Sequence, residues 1–312
     1  MYLRRDELRR TARPPAKLNL HLEVFGRRGD GFHELETLMV PVRLYDCLSI
    51  TSTAATADAA AGAGPLQFRC SLATRSPFER KYVPAAKHNL VVRALELLRQ
   101  RSGCTLGACI ELVKRIPAAA GLGGGSSDAA AALVLANRVW RLGWSRDRLA
   151  DLAAEIGSDV PFFLFGGAAV CRSRGERVEK LPAAAPLHFV LVKPPVDLST
   201  ADVYRAYDAL PQAGMRSASA RLESLIKALI RGRLAEIGRA MRNALQAAAA
   251  TLSPWVERAR SAFDELDCLA HQLSGSGSAY FGLCRHAQHA RRLASVLRAR
   301  GLGLVYALRS CP

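Results

Sequence analysis

Acidic residues are scarce in this 312-residue chain, where 27 Asp and Glu stand against 44 Lys and Arg for a formal net charge of +17. The excess is mostly arginine, densest near the N-terminus and over residues 285–300. Such a field attracts nucleic acid, but it steers a phosphorylated nucleotide equally well, and spread over many helices it reads as a solvated surface. No nucleic-acid partner is expected. The eight cysteines contain no C-x-x-C pair, which argues against a disulfide frame and for reduced, mostly buried thiols in a cytoplasm. No run of about eighteen uncharged apolar residues occurs, so no membrane span is expected. The basic N-terminal decapeptide lacks an apolar core and a serine and carries acids, so neither a secretion signal nor a transit peptide is expected. The length suffices for two domains, each with its own core.

Against these absences stands Ile116-Pro117-Ala118-Ala119-Ala120-Gly121-Leu122-Gly123-Gly124-Gly125-Ser126-Ser127-Asp128, followed by an alanine run. Glycines cost backbone entropy and contribute no side chain, so four of them within five residues are there for conformation and close approach. Ser126, Ser127 and Asp128 supply N-cap chemistry, and the alanines favour helix. A glycine loop opening a helix gathers free N–H groups at the positive end of the helix dipole, which makes an anion site. The loop contains no lysine, which excludes a P-loop. Ser126 stands where a dinucleotide-binding fingerprint needs glycine.

Pro15-Ala16-Lys17-Leu18-Asn19-Leu20-His21-Leu22-Glu23-Val24 alternates cleanly and predicts a half-buried strand, with Lys17, Asn19, His21 and Glu23 on its polar face. A turn-rich loop to His33 and a strand over 44–50 follow. Residues 51–64, poor in large apolar side chains, read as a mobile insertion, with a similarly loose segment to 88. Helices are predicted from 89, with Asn89 near the start, through 98; from the glycine loop to about 140; and over 145–156 with Ser145 as cap. Phe162-Phe163-Leu164-Phe165 leads into 168–171 as buried strand. Beyond a boundary at 182–186, strands over 187–193, 279–284 and 302–308 alternate with helices over 201–210, 218–230, 233–250, 254–269 and 287–300. Ser274-Gly275-Ser276-Gly277-Ser278 forms a second glycine-serine loop.

The string Pro-x-x-x-Gly-Leu-Gly-Gly-Gly-Ser-Ser-x-Ala resembles the ATP-phosphate loop of the GHMP kinases. Pro-Ala-Lys-Leu-Asn-Leu from Pro15, Asp30-Gly31-Phe32-His33 and Gly157-Ser158-Asp159-Val160-Pro161 resemble the blocks of one branch, which phosphorylates the 2-hydroxyl of a cytidine diphosphate alcohol in the non-mevalonate route to isoprenoids. The resemblance implies an α+β fold of two domains, 1–185 and 186–312, with the active site in the cleft between them. It implies ATP and Mg²⁺, with Pro117, Gly121, Gly123, Gly124, Gly125, Ser126, Ser127 and Asn89 at the nucleotide. It assigns catalysis to Asp159 as proton acceptor, with Lys17 beside it keeping that carboxylate ionised. Asn19, Phe32, His33, Gly275 and Gly277 would meet the substrate. A monomer or homodimer is expected, in the cytoplasm. Alternatives are another GHMP kinase of the mevalonate or homoserine type, a basic RNA-binding protein, or an inactive kinase-like regulator. Taken singly, a strand lysine is ordinarily solvated and a turn aspartate ordinarily bonds its own backbone. Three departures stand out: Phe32 replaces a tyrosine, Asn243-Ala244-Leu245-Gln246 replaces Asn-Asp-Leu-Glu, and the 51–88 segment is long.

Overall fold

Capping residues and apolar spacing fix the elements. The computed structural model describes residues 4–5, 9–54, 63–73, 89–211 and 218–311. The chain opens with β1 (Arg4–Arg5), β2 (Arg9–Ala12), the long β3 (Pro15–Arg27) and β4 (His33–Tyr45). It continues through β5 (Cys47–Thr53), β6 (Leu66–Leu72), α1 (Leu90–Ser102) and β7 (Gly107–Lys114). Next come α2 (Gly124–Val139), α3 (Arg146–Ile156), α4 (Phe162–Phe165), β8 (Ala169–Ser173) and β9 (Arg177–Lys180). β10 (His188–Lys193), α5 (Thr200–Asp208), α6 (Ala218–Ile230), α7 (Leu234–Ala240) and β11 (Arg242–Asn243) follow. The last elements are α8 (Gln246–Leu252), α9 (Pro254–Asp264), β12 (Ala270–Leu273), β13 (Tyr280–Cys284), α10 (Ala287–Ala299) and β14 (Leu304–Arg309). No described helix is long and apolar enough to cross a membrane.

Two compact units emerge. The first comprises residues 1–16, 44–118 and 123–166, and holds a sheet of order β1-β2-β5-β7-β6. Its core joins Leu48 and Ile50 of β5, Ile110 and Leu112 of β7, Leu95 and Leu98 of α1, and Leu133 of α2. α1 starts where Asn89 Oδ1 accepts from Val91 N–H at 2.9 Å, and it stops at Gly103, whose φ of 69° only glycine adopts cheaply. The second unit comprises 17–43, 119–122 and 167–312, with sheets of order β11-β3-β4-β8-β9 and β12-β13-β10-β14. Val190 and Val192 of β10, Phe263 of α9, Tyr280 of β13, and Leu293 and Leu297 of α10 form one buried cluster there.

Several expectations are corrected. Residues 66–72 are not loose: they form β6, parallel to β7 with Phe68 opposite Ile110. Leu66, Phe68, Cys70 and Leu72 alternate with polar neighbours, a period of two that composition hides. The rest of the expected insertion, 55–62 and 74–88, lies outside the described residues. The single strand expected over 44–50 straddles the end of β4 and the start of β5, which are separated at Asp46, and 162–165 are the short helix α4 rather than strand. The polar face of β3 is not half-exposed, because Lys17, Asn19, His21 and Glu23 are all buried. None of the eight cysteines is in a disulfide, but only Cys171 and Cys284 are fully buried.

The helix expected over 233–250 breaks in the middle, and the cause is Asn243. β11 pairs parallel to β3, with Asn243 opposite Leu22, while Asn243 Nδ2 donates to Leu273 O at 2.9 Å and Gly275 O at 2.8 Å. Its Oδ1 accepts from Leu245 N–H at 2.9 Å. A side chain with three such bonds outweighs two turns of helix propensity. Asn243→Ala leaves two buried carbonyls and an N–H without partners, so it should lower stability by about 1–3 kcal/mol. Urea unfolding reads this directly, and an unchanged midpoint would show that these groups find other partners.

Candidate active site

In the second unit three chain segments converge on Lys17. Its N–H donates to Leu122 O at 2.9 Å, and its Nζ donates to Asn19 Oδ1 at 2.5 Å. Asn19 Nδ2 donates to Thr37 Oγ1 at 2.9 Å, which donates on to His21 O at 2.6 Å. Gly275, at φ 56°, faces the pair so closely that a Cβ there would lie 3.1 Å from Lys17 Nζ and 3.2 Å from Asn19 Oδ1. Gly121 permits no Cβ at all, because it would fall on the Ser274 carbonyl oxygen. Ser274 Oγ donates to Gly121 O at 3.1 Å, and Gly277 N–H to Ser274 O at 2.9 Å. The structure thus brings together Lys17, Asn19, Gly121, Gly275 and Gly277, five of the expected site residues. Asn243 and Gln246, from the segment that departs from the family pattern at Ala244 and Gln246, brace the same loop: Gln246 Oε1 accepts from Leu273 N–H at 2.9 Å.

Phe32 and His33 sit at the start of β4, also in the second unit. Phe32 is 49% exposed, where the other described Phe, Tyr and Trp residues are buried or half-buried, and the Arg174 guanidinium lies 4.9 Å over its ring. His33 stacks on Tyr204 with ring centroids 4.7 Å apart, and its Nε2 lies 2.7 Å from Asp208 Oδ1. Sequence reasoning missed Tyr204 and Asp208. They lie about 170 residues downstream inside a predicted helix, and no local signal ties them to His33.

The first unit carries the rest. The helix expected to be capped by Ser126, Ser127 or Asp128 starts earlier: Gly123, at φ 68°, is the cap, and Ser127 N–H already donates to Gly123 O at 2.9 Å. Gly124, Gly125 and Ser126 therefore present the unpaired N–H groups of the first turn. Ser127 Oγ is buried with no partner among the described residues. A Cβ on Gly125 would touch Leu90 at 3.5 Å, so the glycine loop and the Asn89 segment are neighbours. Pro117 is buried at the loop's entrance. Asp159 lies half-buried in the turn where Val160 N–H donates to Gly157 O at 3.1 Å.

Residues 89–167 match the family model described as GHMP kinases N terminal domain, and residues 225–302 match GHMP kinases C terminal. Those are the two halves of a GHMP kinase, an enzyme that spends ATP on a small-molecule acceptor. The 4-diphosphocytidyl-2-C-methyl-D-erythritol kinase of Pelotomaculum thermopropionicum is 42% identical over 288 residues, covering 92% of this chain and 93% of that protein. A crystal structure of a 4-(cytidine 5'-diphospho)-2C-methyl-D-erythritol kinase aligns with a TM-score of 0.73 at 34% identity, over 97% of this chain and 99% of that one. This chain belongs to the 4-diphosphocytidyl-2-C-methyl-D-erythritol kinase family. A homoserine kinase from Cytophaga hutchinsonii shares the fold, with a TM-score of 0.75 over 100% of this chain and 97% of that one, at only 21% identity. The fold alone therefore does not select the acceptor.

Beneath the glycine loop lies a buried ionic cluster that no motif announces. Lys114 Nζ donates to Asp46 Oδ2 and, at 2.7 Å, to Asp128 Oδ2. Asp46 Oδ1 accepts from the N–H groups of Arg115 and Ile116, the latter at 2.9 Å, which pins the strand as it enters the loop. Two carboxylates share one ammonium here. Burial, with Asp46 adding to it against the pull of Lys114, pushes the Asp128 carboxyl up to about 8. The folded value lies above the unfolded one, so the native state binds the extra proton across the window from about 4 to about 8, and stability falls as pH rises through it. Asp128→Asn removes the titration. Relative to wild type, its melting temperature should therefore climb between pH 5 and pH 9, and a constant difference across that range would assign the proton elsewhere.

Proposed function

We propose that this kinase transfers the γ-phosphoryl group of ATP to the 2-hydroxyl of 4-(cytidine 5'-diphospho)-2-C-methyl-D-erythritol, a step in the non-mevalonate route to isoprenoids. One observation carries the reading beyond the family match. Lys17 and Asn19, from the block that distinguishes this branch, are held buried against Gly275, with Gly121 closing the same knot of loops. A buried ammonium costs several kcal/mol unless the site uses its charge.

Phosphoryl transfer asks for positioning and charge neutralisation. The N–H groups of Gly124, Gly125 and Ser126, at the positive end of α2, receive the ATP phosphates. Asn89 and Leu90 line the nucleotide's other end. Asp159 accepts the proton of the substrate hydroxyl as the new oxygen–phosphorus bond forms and the bond to the bridging β,γ-oxygen breaks, releasing ADP. Lys17 polarises the hydroxyl. Phe32 supplies a ring face for the cytosine, and His33 a hydrogen-bonding edge. The Ser127 hydroxyl, which has no partner among the described residues, would help hold Mg²⁺ beside the phosphates. When bound it would neutralise phosphate charge. The halves 1–185 and 186–312 are proposed as the inherited domains, in keeping with family matches that fall on either side of that boundary. The enzyme is read as cytoplasmic, acting as monomer or homodimer without nucleic-acid or membrane partners.

ADP release with Mg-ATP against a panel of alcohols tests the acceptor. Turnover of the cytidine compound supports the reading, and turnover of mevalonate or homoserine instead would overturn it. Binding to RNA that falls steeply with salt, with no kinase activity, would place the protein in another class.

The catalytic pair has its own signature. General-base contributions are typically about 10²–10⁴-fold, so Asp159→Asn should cut kcat by that order while both KM values move little. Lys17→Ala should also depress kcat, and the double variant should be scarcely worse than the poorer single one. Near-normal kcat with a lowered melting temperature would make Asp159 a structural turn residue.

A further inference from the structure

Asp208 closes α5 one turn after Tyr204, so the two side chains share a helix face and meet His33 together. The imidazole is gripped on two sides: Tyr204 covers its face at 4.7 Å with an interplanar angle of 30°, and Asp208 Oδ1 takes its Nε2 at 2.7 Å. The His33 side chain is only 10% exposed. Among the described residues the ring's hydrogen bond runs through Nε2, leaving Nδ1 for a ligand. An ionised carboxylate accepts and never donates, so the hydrogen must sit on Nε2. In the neutral ring, Nδ1 is then an acceptor.

We propose that Asp208 is a positioning residue that sets base specificity, fixing His33 in its Nε2–H tautomer so that Nδ1 accepts from the 4-amino group of cytosine and rejects the 4-keto oxygen of uracil. The proposal rests on the reading that His33 faces the base of a cytidine substrate. Cytosine offers two N–H donors at that edge. Uracil offers lone pairs, which would face the lone pair of Nδ1, and a site built on one hydrogen-bond polarity rejects the reverse by leaving both groups unpaired. Without Asp208 the ring is free to move its hydrogen to Nδ1 and donate to uracil. Asp208 touches no part of the base and acts wholly through His33. Tyr204 stops the ring from flipping, since turning it would exchange the two nitrogens and undo the selection.

The test uses the full-length enzyme in two arms. In the first, long-range ¹H–¹⁵N spectra of ¹⁵N-histidine-labelled protein report the tautomer, with His33 identified by the signal lost in His33→Gln. Wild type should show Nε2–H, Asp208→Ala a mixture or the Nδ1–H form, and Asp208→Asn, whose Oδ1 still accepts, should keep Nε2–H. In the second arm, kcat/KM is compared for the cytidine substrate and its uridine counterpart. Asp208→Ala should lose about tenfold of the cytidine preference, chiefly through KM for the cytidine compound, with KM for ATP unchanged, and Asp208→Asn should retain most of it. A wild-type Nδ1–H tautomer overturns the proposal, as does a preference untouched by Asp208→Ala in an enzyme that turns over the cytidine compound. A wild-type enzyme that phosphorylates neither nucleotide overturns the cytidine reading on which the proposal stands.

Discussion

The second unit depends on a close approach that only glycine allows. At Gly121 the obstacle is the Ser274 carbonyl, a backbone atom that cannot rotate away, with Gly277 N a further 3.0 Å from the same imagined Cβ. At Gly275 the obstacle is the far end of Lys17, which could give way, but φ of 56° already disfavours any other residue. Steric exclusion therefore decides the first position and backbone strain the second. Around this contact Ala279 N–H donates to Ala120 O at 3.1 Å and Lys17 N–H to Leu122 O at 2.9 Å. Three segments far apart in sequence are locked into one register.

That register explains why a strand can bury four polar side chains on one face. Lys17 is answered by Asn19, Asn19 by Thr37, and Glu23 by Arg242 at 2.7 Å. An unanswered buried polar group costs about 1–3 kcal/mol, so the chain of bonds is a condition for the strand to exist in this place. His21 is the exception. It is fully buried with neither ring nitrogen bonded among the described residues, and burial, with Arg221 and Arg242 adding to it, lowers its pKa to about 4. The ring is therefore neutral at physiological pH, the state in which an unbonded imidazole costs least.

What could be read from the chain follows from how local each cause is. The glycine loop, its helix and the Asn89 and Ser145 caps are written within a few residues, and they stand where the sequence puts them, apart from a helix start moved to Gly124. The alternation of β3 is equally local, but burial of its polar face depends on Gln272, whose Nε2 donates to Asn19 O at 2.8 Å across more than 250 residues. The broken helix at Asn243 is of the same kind. Its composition favours helix throughout, and only the carbonyls of Leu273 and Gly275 reveal why the chain turns strand. Tyr204 and Asp208 were unreadable because their partner, His33, sits in a different sheet-and-turn segment.

The ionic cluster beneath the loop shows how a phosphate loop without its own lysine is made rigid. Lys114 comes from the strand before it, and its Nζ stands 3.2 Å from where a Cβ on Gly124 would be. Burial opposes the ammonium charge, but Asp128 and Asp46 outweigh it, and the Lys114 pKa rises. One ammonium between two carboxylates leaves an excess of negative charge if both ionise. Part of that excess is absorbed by the Arg115 and Ile116 N–H groups on Asp46, and part by the positive end of α2, whose first turns carry Asp128. Burial, with the charge of Asp46 adding to it, still holds the Asp128 carboxyl above the usual carboxylate range. Charge balance therefore ties the end of β7, the turn at Asp46 and the start of α2 into one body, and the glycines between them can stay free of side chains without becoming floppy.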